Sequence, residues 1–363
     1  MHIILGGAGF IGSHLVTELV TRGDSVKVID NFSRGSLGNL ADAMPTGRLQ
    51  VMRLDLEKYG FACEPEDIVW HLAAKVAAIE YNRKNQYEML RSNLALAYHA
   101  IESARKQKPK LFVYVSTACV YAADAPVPTP ESAGNICNPE PTNHGYAVAK
   151  WTGEQMVKHL ANEHNVPCVI VRLFNAIGPR DYYDKETSHV VPALIRRVME
   201  GENPLVVWGS GQQTRVFVDA RDIATALVKL HDFMLTPQTM YEGKYPRPII
   251  VNIGHEREVS IAQLVDTIVG LCGKDSGYIL DTSKPDGHKR RAADVSLLRS
   301  LIGWVPDRPL VATLQDMVKE FQEGRAQPPI PRGTSLSSSS RSSTSSGPPA
   351  LTPCSGSFFS ECR

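Results

Sequence analysis

The stretch IILGGAGFIGSHL, residues 3–15, runs from an apolar strand through a turn with glycines at positions 6, 9 and 12 into a helical pattern. Glycine in such a turn permits a tight reversal and lets a pyrophosphate approach the backbone and the N-terminus of the following helix. A bare glycine triplet is weak evidence, but this one stands between a strand and a helix. The next strand, SVKVID, ends in Asp30, eighteen residues after Gly12. A carboxylate there accepts hydrogen bonds from both hydroxyls of an adenosine ribose and repels a 2′-phosphate, which favours NAD over NADP. Arg34, four residues on, is the nearby cation that pulls the other way.

Around this unit, Val- and Ile-rich strands over 2–5, 25–30, 67–72, 110–116 and 167–173 alternate with helical patterns over 11–22, 86–107 and 144–164. Such alternation predicts an α/β fold, a doubly wound parallel (Rossmann) sheet. Beyond Phe174 the chain is less regular and richer in Pro and Gly, as suits a smaller α/β substrate-binding lobe. The expected division is a cofactor domain over 1–172, a substrate lobe over 173–215 and 254–327, and a disordered Ser-rich tail over 328–363. Residues 216–253 are expected to rejoin the cofactor domain, with PIIVNIG (248–254) as a strand of the main sheet.

The net charge of +1 and the absence of a basic block exclude a polyanion-binding role, so no nucleic-acid partner is expected. No charged leader precedes the first strand and no apolar run reaches membrane-spanning length, so a cytoplasmic protein with no membrane partner is expected. The seven cysteines form no CxxC pair and no metal-ligand spacing with histidine. Reduced thiols and no metal are the expectation.

HGYAVAKWTGEQ sets Tyr146 and Lys150 four residues apart, on one helical face and one turn from each other. A neighbouring ammonium favours the phenolate, lowering the tyrosine pKa toward the range where it takes a proton from a sugar hydroxyl. Thr117 or Ser116, at the end of the strand about thirty residues earlier, would complete the relay. Asp55, in RLDLEK after a third short strand, is placed to contact adenine. HLAA (71–74) ends a further strand in the small residues that close contact with a nicotinamide requires.

With GGAGFIGSHL, HLAA, VSTACVY, YAVAK, RLFNAIGP, GSGQQTRVFVDARD and VNIG together, the chain resembles the extended short-chain dehydrogenase/reductases that act on nucleotide sugars, over about residues 2–325. The resemblance implies a Thr117, Tyr146 and Lys150 triad. It also implies a cofactor surface of Gly6, Gly9, Phe10, Ile11, Gly12, Asp30, Asn31, Asp55, Leu56, Ala73, Ala74, Lys75 and Asn93, together with Tyr146 and Lys150. Ser116 and Asn175 would lie against the substrate, and Arg215 and Arg291 would grip its diphosphate. Similar proteins form homodimers by packing two such helices per chain into a four-helix bundle, here 86–107 and 144–164.

Family members share one first step, oxidation of the sugar at C4, and differ in how the resulting ketone is used. A 4,6-dehydratase would need acidic residues after the triad threonine, where this chain has Ala118 and Cys119. A thiolate beside a 4-ketone can remove the acidified hydrogens at C3 and C5, given an acid on the opposite face. The cysteine context, with EPTNHGYAVAK and SHVVPALIRR, is similar to GDP-mannose 3,5-epimerase and GDP-fucose synthase, and implies Cys119 as base and His189 as acid. Two departures stand beside the likeness: Asp30 where the synthase lacks a ribose-binding carboxylate, and alanines in AAKVAAIEYN (73–82) where that subgroup has paired glycines. The reading is therefore an NAD-dependent epimerase acting at C3 and/or C5 of a GDP-hexose. A 4-epimerase with an incidental Cys119, a 4-keto-sugar epimerase/reductase, and a non-catalytic NAD-binding scaffold are the alternatives.

Overall fold

The Val- and Ile-rich segments form β1 (His2–Leu5), β2 (Val26–Asp30), β3 (Leu49–Arg53), β4 (Ile68–His71), β5 (Leu111–Thr117) and β6 (Cys168–Leu173). Four short strands, β7 (Ala176–Ile177), β8 (Leu205–Trp208), β9 (Thr214–Val216) and β10 (Val218–Asp219), precede β11 (Ile249–Ile253). These assignments come from a computed structural model that describes residues 1–135, 141–236, 248–274, 276–284, 287 and 289–325. The expected tail over 328–363 and Cys137, Cys354 and Cys362 lie outside the described residues.

One seven-stranded sheet runs in the order β3–β2–β1–β4–β5–β6–β11, with every pairing parallel. It is the doubly wound sheet the alternation predicts, and PIIVNIG supplies its last strand, Ile249 opposite Val169. Helices α1 (Phe10–Thr21), α2 (Ile79–Lys84), α3 (Gln86–Gln107) and α4 (His144–His164) are followed by α5 (Val190–Met199) and α6 (Ala220–Met234). α3 and α4 occupy the predicted ranges. α1 starts one residue earlier than expected because Gly9, extended at φ −76° and ψ −177°, serves as its N-cap.

Side chains alternate across the strands, so the sheet is apolar on both faces. Ile4, Trp70, Val113, Val169 and Val251 pack with Leu15 and Leu19 of α1 and Ile223 and Leu227 of α6. Ile3, Leu5, Val69, Phe112 and Ile170 pack with Leu96 and Ala100 of α3 and Val157 and Leu160 of α4. A second core joins Val191 and Leu194 of α5 to the helices Ile261–Cys272 and Leu310–Gln322. Beside it, β12 (Glu258–Ser260), β9 and β14 (Arg290–Arg291) form one small sheet, and β13 (Tyr278–Asp281) pairs with β8 in another. The main sheet reverses its winding between β1 and β4, which opens a crevice at their carboxyl ends, the usual ligand position in such sheets. No helix among the described residues is long and apolar enough to cross a membrane.

Burial holds two histidines neutral. His14 lies with Nε2 2.9 Å from the Pro179 carbonyl oxygen, and Trp70 Nε1 donates to His2 Nδ1 at 3.1 Å. Desolvation, helped by His231 near His2 and Arg180 near His14, pushes each down from 6.5 to about 4. Unfolding frees both to take protons, so the stability they confer is complete above their unfolded value of 6.5 and is lost as pH falls toward about 4. The melting temperature should therefore decline across that window, and His14→Gln, which keeps a donor for Pro179, should flatten the slope. A melting temperature constant from about pH 7 to about pH 4.5 would contradict this account.

Candidate active site

Three loops meet at the carboxyl ends of β4, β1 and β2. Gly6 stands at φ +82°, and a Cβ on it would lie 2.7 Å from the Ala73 backbone nitrogen; one on Gly12 would lie 2.2 Å from the Gly6 carbonyl oxygen. Packing within the chain thus requires these two glycines. Gly9 is less confined: a Cβ on it would meet the Gly6 carbonyl oxygen at 3.3 Å, a tight contact but not an overlap. The N-terminus of α1 has no side-chain cap and no acidic residue in its first turn, which leaves its amides and positive dipole end for an anion. Asp30 Oδ2 accepts from Ala8 N at 3.0 Å and Oδ1 from Phe32 N at 2.8 Å, so the carboxylate is fixed at the rim of the turn. Burial raises its pKa against those hydrogen bonds. These residues fit a dinucleotide with a free adenosine 2′-hydroxyl.

Around this cradle, Phe10 and Ile11 open α1, and Asn31 bonds Asp55 across the ends of β2 and β3. Two expected cofactor residues act differently from the expectation. Leu56 turns its side chain into the core with Ile3 and Leu5. Asn93 is buried and holds the Ala73–Lys75 loop from behind, donating to Lys75 O at 3.0 Å and accepting from Lys75 N at 3.0 Å. The Lys75 ammonium is paired with Glu88.

Tyr146, Lys150 and Glu154 follow one another at helical spacing along the face of α4 that meets β5. Tyr146 shares a hydrogen bond with Thr117, and Lys150 Nζ donates to Val115 O at 2.9 Å. The phenol is not acidified as expected. The side chain is half-buried, and desolvation, with Cys119 alongside, moves its pKa upward against the Thr117 bond. Burial brings Lys150 down to about 8, opposed by Glu154. In a low-dielectric site, desolvation outweighs the charge attraction that the four-residue spacing alone predicts.

Ser116 also departs from its expected role. It is buried and donates to Glu154 Oε1 at 2.5 Å, inside a polar network that the sequence does not announce. Arg172 and Glu154 form a bidentate pair at 2.9 and 2.6 Å with both side chains fully buried. Arg172 also donates to Tyr121 Oη at 3.2 Å and Glu131 O at 2.7 Å, and Tyr121 donates to Asn252 Oδ1. The signal for Glu154 is present in HGYAVAKWTGEQ, where it extends the Tyr146–Lys150 face by one turn.

Cys119 stands on the 3₁₀ turn Ala118–Val120 directly after β5, with its amide donated to Thr117 Oγ1 at 3.2 Å. Its sulfur is 3.9 Å from Arg291 Nη1. The other described cysteines, Cys63, Cys168 and Cys272, are free and buried. Arg291 is the register partner of Arg215 across β14 and β9, which puts both guanidinium groups on one face of that small sheet. Arg290 points elsewhere and is paired with Glu258. Asn175, at φ +31°, donates its amide to Val216 O at 2.8 Å and so supports β9. His189 caps α5 with Nδ1 3.9 Å from the buried Asp181 carboxylate. The structure thus gathers Thr117, Cys119, Tyr146 and Arg291, while His189 belongs to a separate group with Asp181.

The NAD-dependent epimerase/dehydratase family pattern matches residues 2–254. The putative GDP-L-fucose synthase 2 of Arabidopsis thaliana is 33% identical over 331 residues, covering 89% of this chain and 92% of that one. Among solved structures, the UDP-N-acetylglucosamine 4-epimerase of Methanobrevibacter ruminantium M1, in complex with UDP-N-acetylmuramic acid, superposes with a TM-score of 0.74 at 26% identity, over 89% of this chain and 98% of that chain. The UDP-glucuronic acid 4-epimerase of Bacillus cereus, in complex with UDP-glucuronic acid and NAD, gives 0.73 at 25% identity, over 89% and 99%.

Glu154→Gln leaves Arg172 charged, buried and unpaired. Loss of one partner of a buried pair costs about 3–5 kcal/mol, so urea unfolding of this variant should show that deficit. The double change Glu154→Gln with Arg172→Met should recover a large part of it. A single variant within about 1 kcal/mol of the parent would show that the pair contributes no more than a surface bridge.

Proposed function

The chain belongs to the NAD-dependent epimerase/dehydratase family, and from that premise we propose a nucleotide-sugar epimerase that works through a transient 4-ketone and inverts C3 and/or C5 of a GDP-hexose. The observation that carries the proposal is the position of Cys119, two residues beyond Thr117 and beside Tyr146 and Arg291. Bound NAD supplies the acceptor for the C4 hydride and, once reduced, its donor. Tyr146 must act here as its phenolate, a form that the positive nicotinamide ring of bound NAD and the Lys150 ammonium would favour; that phenolate takes the C4 hydroxyl proton, with Thr117 holding its oxygen and Lys150 beneath the strand end. Cys119 then removes a proton from the carbon next to the ketone, and His189, on a different element, returns one from the opposite face. Arg215 and Arg291 take the diphosphate, for which two guanidinium groups on one sheet face are suited.

In this reading residues 1–172 with 216–253 serve the cofactor, and 173–215 with 254–327 serve the sugar nucleotide. The free thiols of Cys63, Cys119, Cys168 and Cys272 accord with a reducing, cytoplasmic setting. A plain 4-epimerase is the second reading, favoured by the likeness to the two 4-epimerase structures. Incubation with GDP-mannose, UDP-glucose and their 4-keto relatives in heavy water, without added cofactor, separates the two. Deuterium should enter at C3 or C5 and should cease to do so in Cys119→Ser. Tyr146→Phe should slow turnover of the 4-hydroxy substrates by roughly 10²–10⁴-fold, the usual share of a general acid or base. Inversion at C4 alone, without solvent label, would establish the 4-epimerase.

A homodimer through α3 and α4 completes the proposal. Tyr87 and Tyr98 are 78% and 53% exposed and, three turns apart, share one outer face of α3. Covering that face is the simplest account of two outward tyrosines on one helix. Tyr98→Glu should convert a dimer to a monomer in light scattering while leaving the melting curve of the chain cooperative. A monomeric parent protein would refute the assembly.

A further inference from the structure

Arg34 stands on the loop that leaves β2, and the architecture gives that loop a particular task. In the order β4–β1–β2, the loops after β4 and β2 flank the glycine turn after β1. Both are laid against it. Ala73 closes on Gly6, and a Cβ on Gly35 would lie 2.6 Å from the Ala8 carbonyl carbon. Ser36 N and Asn39 Nδ2 both donate to Ala8 O, at 3.1 and 2.9 Å.

From this anchored position Arg34 reaches over the turn. Its Nη1 donates to Val76 O on the far loop, so the side chain joins the two loops that flank the glycine turn. Its guanidinium carbon also lies 4.4 Å from the centre of the Tyr182 ring. Tyr182 has a fixed base of its own. His14 bonds Pro179 O at 2.9 Å, Arg180 Nη1 donates to Thr17 at 3.1 Å, and the Arg180 amide donates to Glu320 at 2.9 Å. The same geometry draws Arg34 away from the role of 2′-phosphate receptor that its sequence position allows.

We propose that Arg34, backed by Tyr182, is a crossbar over the cofactor crevice that keeps NAD resident through the catalytic cycle. Residence decides the outcome of the chemistry. An epimerase must return to C4 the hydride it removed, whereas a reductase must exchange its cofactor at every turnover. A chain that resembles both kinds of enzyme therefore needs a device that delays exchange. The inference rests on the proposed epimerase reading, in which the cofactor is recycled within the site, and does not depend on which sugar binds.

The test uses holoenzyme loaded with adenine-labelled NAD and chased with excess unlabelled NAD, with no sugar present. Arg34→Ala and Tyr182→Ala should each lose label about tenfold faster than the parent, the factor expected for one charge-assisted hydrogen bond and one cation–π contact. Arg34→Lys should fall between, since an ammonium can reach Val76 O but cannot stack as a plane. Equal exchange in parent and alanine variants would overturn the crossbar. So would a parent that binds NADP more tightly than NAD and loses that preference in Arg34→Ala. If Arg34→Ala fails to fold, Tyr182→Ala, which removes only the stacking ring, decides the question. Failure of the sugar assays with slow exchange intact would refute the proposed reaction and leave the crossbar standing.

Discussion

The Glu154–Arg172 pair fixes the geometry on which the site depends. Glu154 belongs to α4 and Arg172 to β6, so their bidentate contact sets the rotation of α4 about its own axis against the sheet. Rotation of that helix by one residue would swing Tyr146 and Lys150 about 100° away from β5. A fully buried ion pair is a weak source of net stability, because desolvation consumes much of the Coulomb gain. Its value here is in specifying one arrangement. Small residues around it let the parts close. A Cβ on Gly153 would strike the Tyr114 hydroxyl at 2.1 Å, and one on Gly134 would meet the Arg172 guanidinium at 2.0 Å.

The charges along the Tyr146–Lys150–Glu154 face of α4 arise from the same burial. Going down α4, a neutral phenol, an ammonium with its pKa at about 8 and a carboxylate paired to Arg172 lie one turn apart. Without Glu154, the desolvated ammonium of Lys150 would have less to hold it charged. The network from Ser116 through Glu154, Arg172 and Tyr121 to Asn252 ties the ends of β5, β6 and β11 into one rigid floor. A floor of this kind keeps a proton-transfer group within hydrogen-bond reach of its target, where small displacements are costly in rate.

The legible part of the sequence is local. The glycine turn, the Asp30 strand end and the full extents of α3 and α4 come from spacing and periodicity within short windows. Pairing between distant positions is hidden: 154 with 172, 34 with 76 and 182, and 291 with 119. Ser116 misleads because a hydroxyl at a strand end looks the same whether it faces a ligand or a buried carboxylate. Asn93 and Leu56 mislead for a related reason, since a residue that supports a binding loop and one that touches the ligand share the same neighbourhood in the chain. The raised pKa of Tyr146 is out of reach because desolvation depends on neighbours drawn from several segments.

The presence of a thiol at position 119 comes down to the behaviour of one side chain, Thr117. Its hydroxyl accepts the amide of Cys119, which forms the 3₁₀ turn, and it also bonds the Tyr146 hydroxyl. The turn that presents the thiol and the bond that orients the phenol therefore share an oxygen, so the two groups cannot drift apart independently. A thiolate so close to the phenol raises the cost of ionising it, as the influence of Cys119 on Tyr146 shows. Both groups cannot readily carry negative charge together. In the proposed reaction they do not need to, because proton removal at C4 precedes the ketone and proton removal at C3 or C5 comes after it.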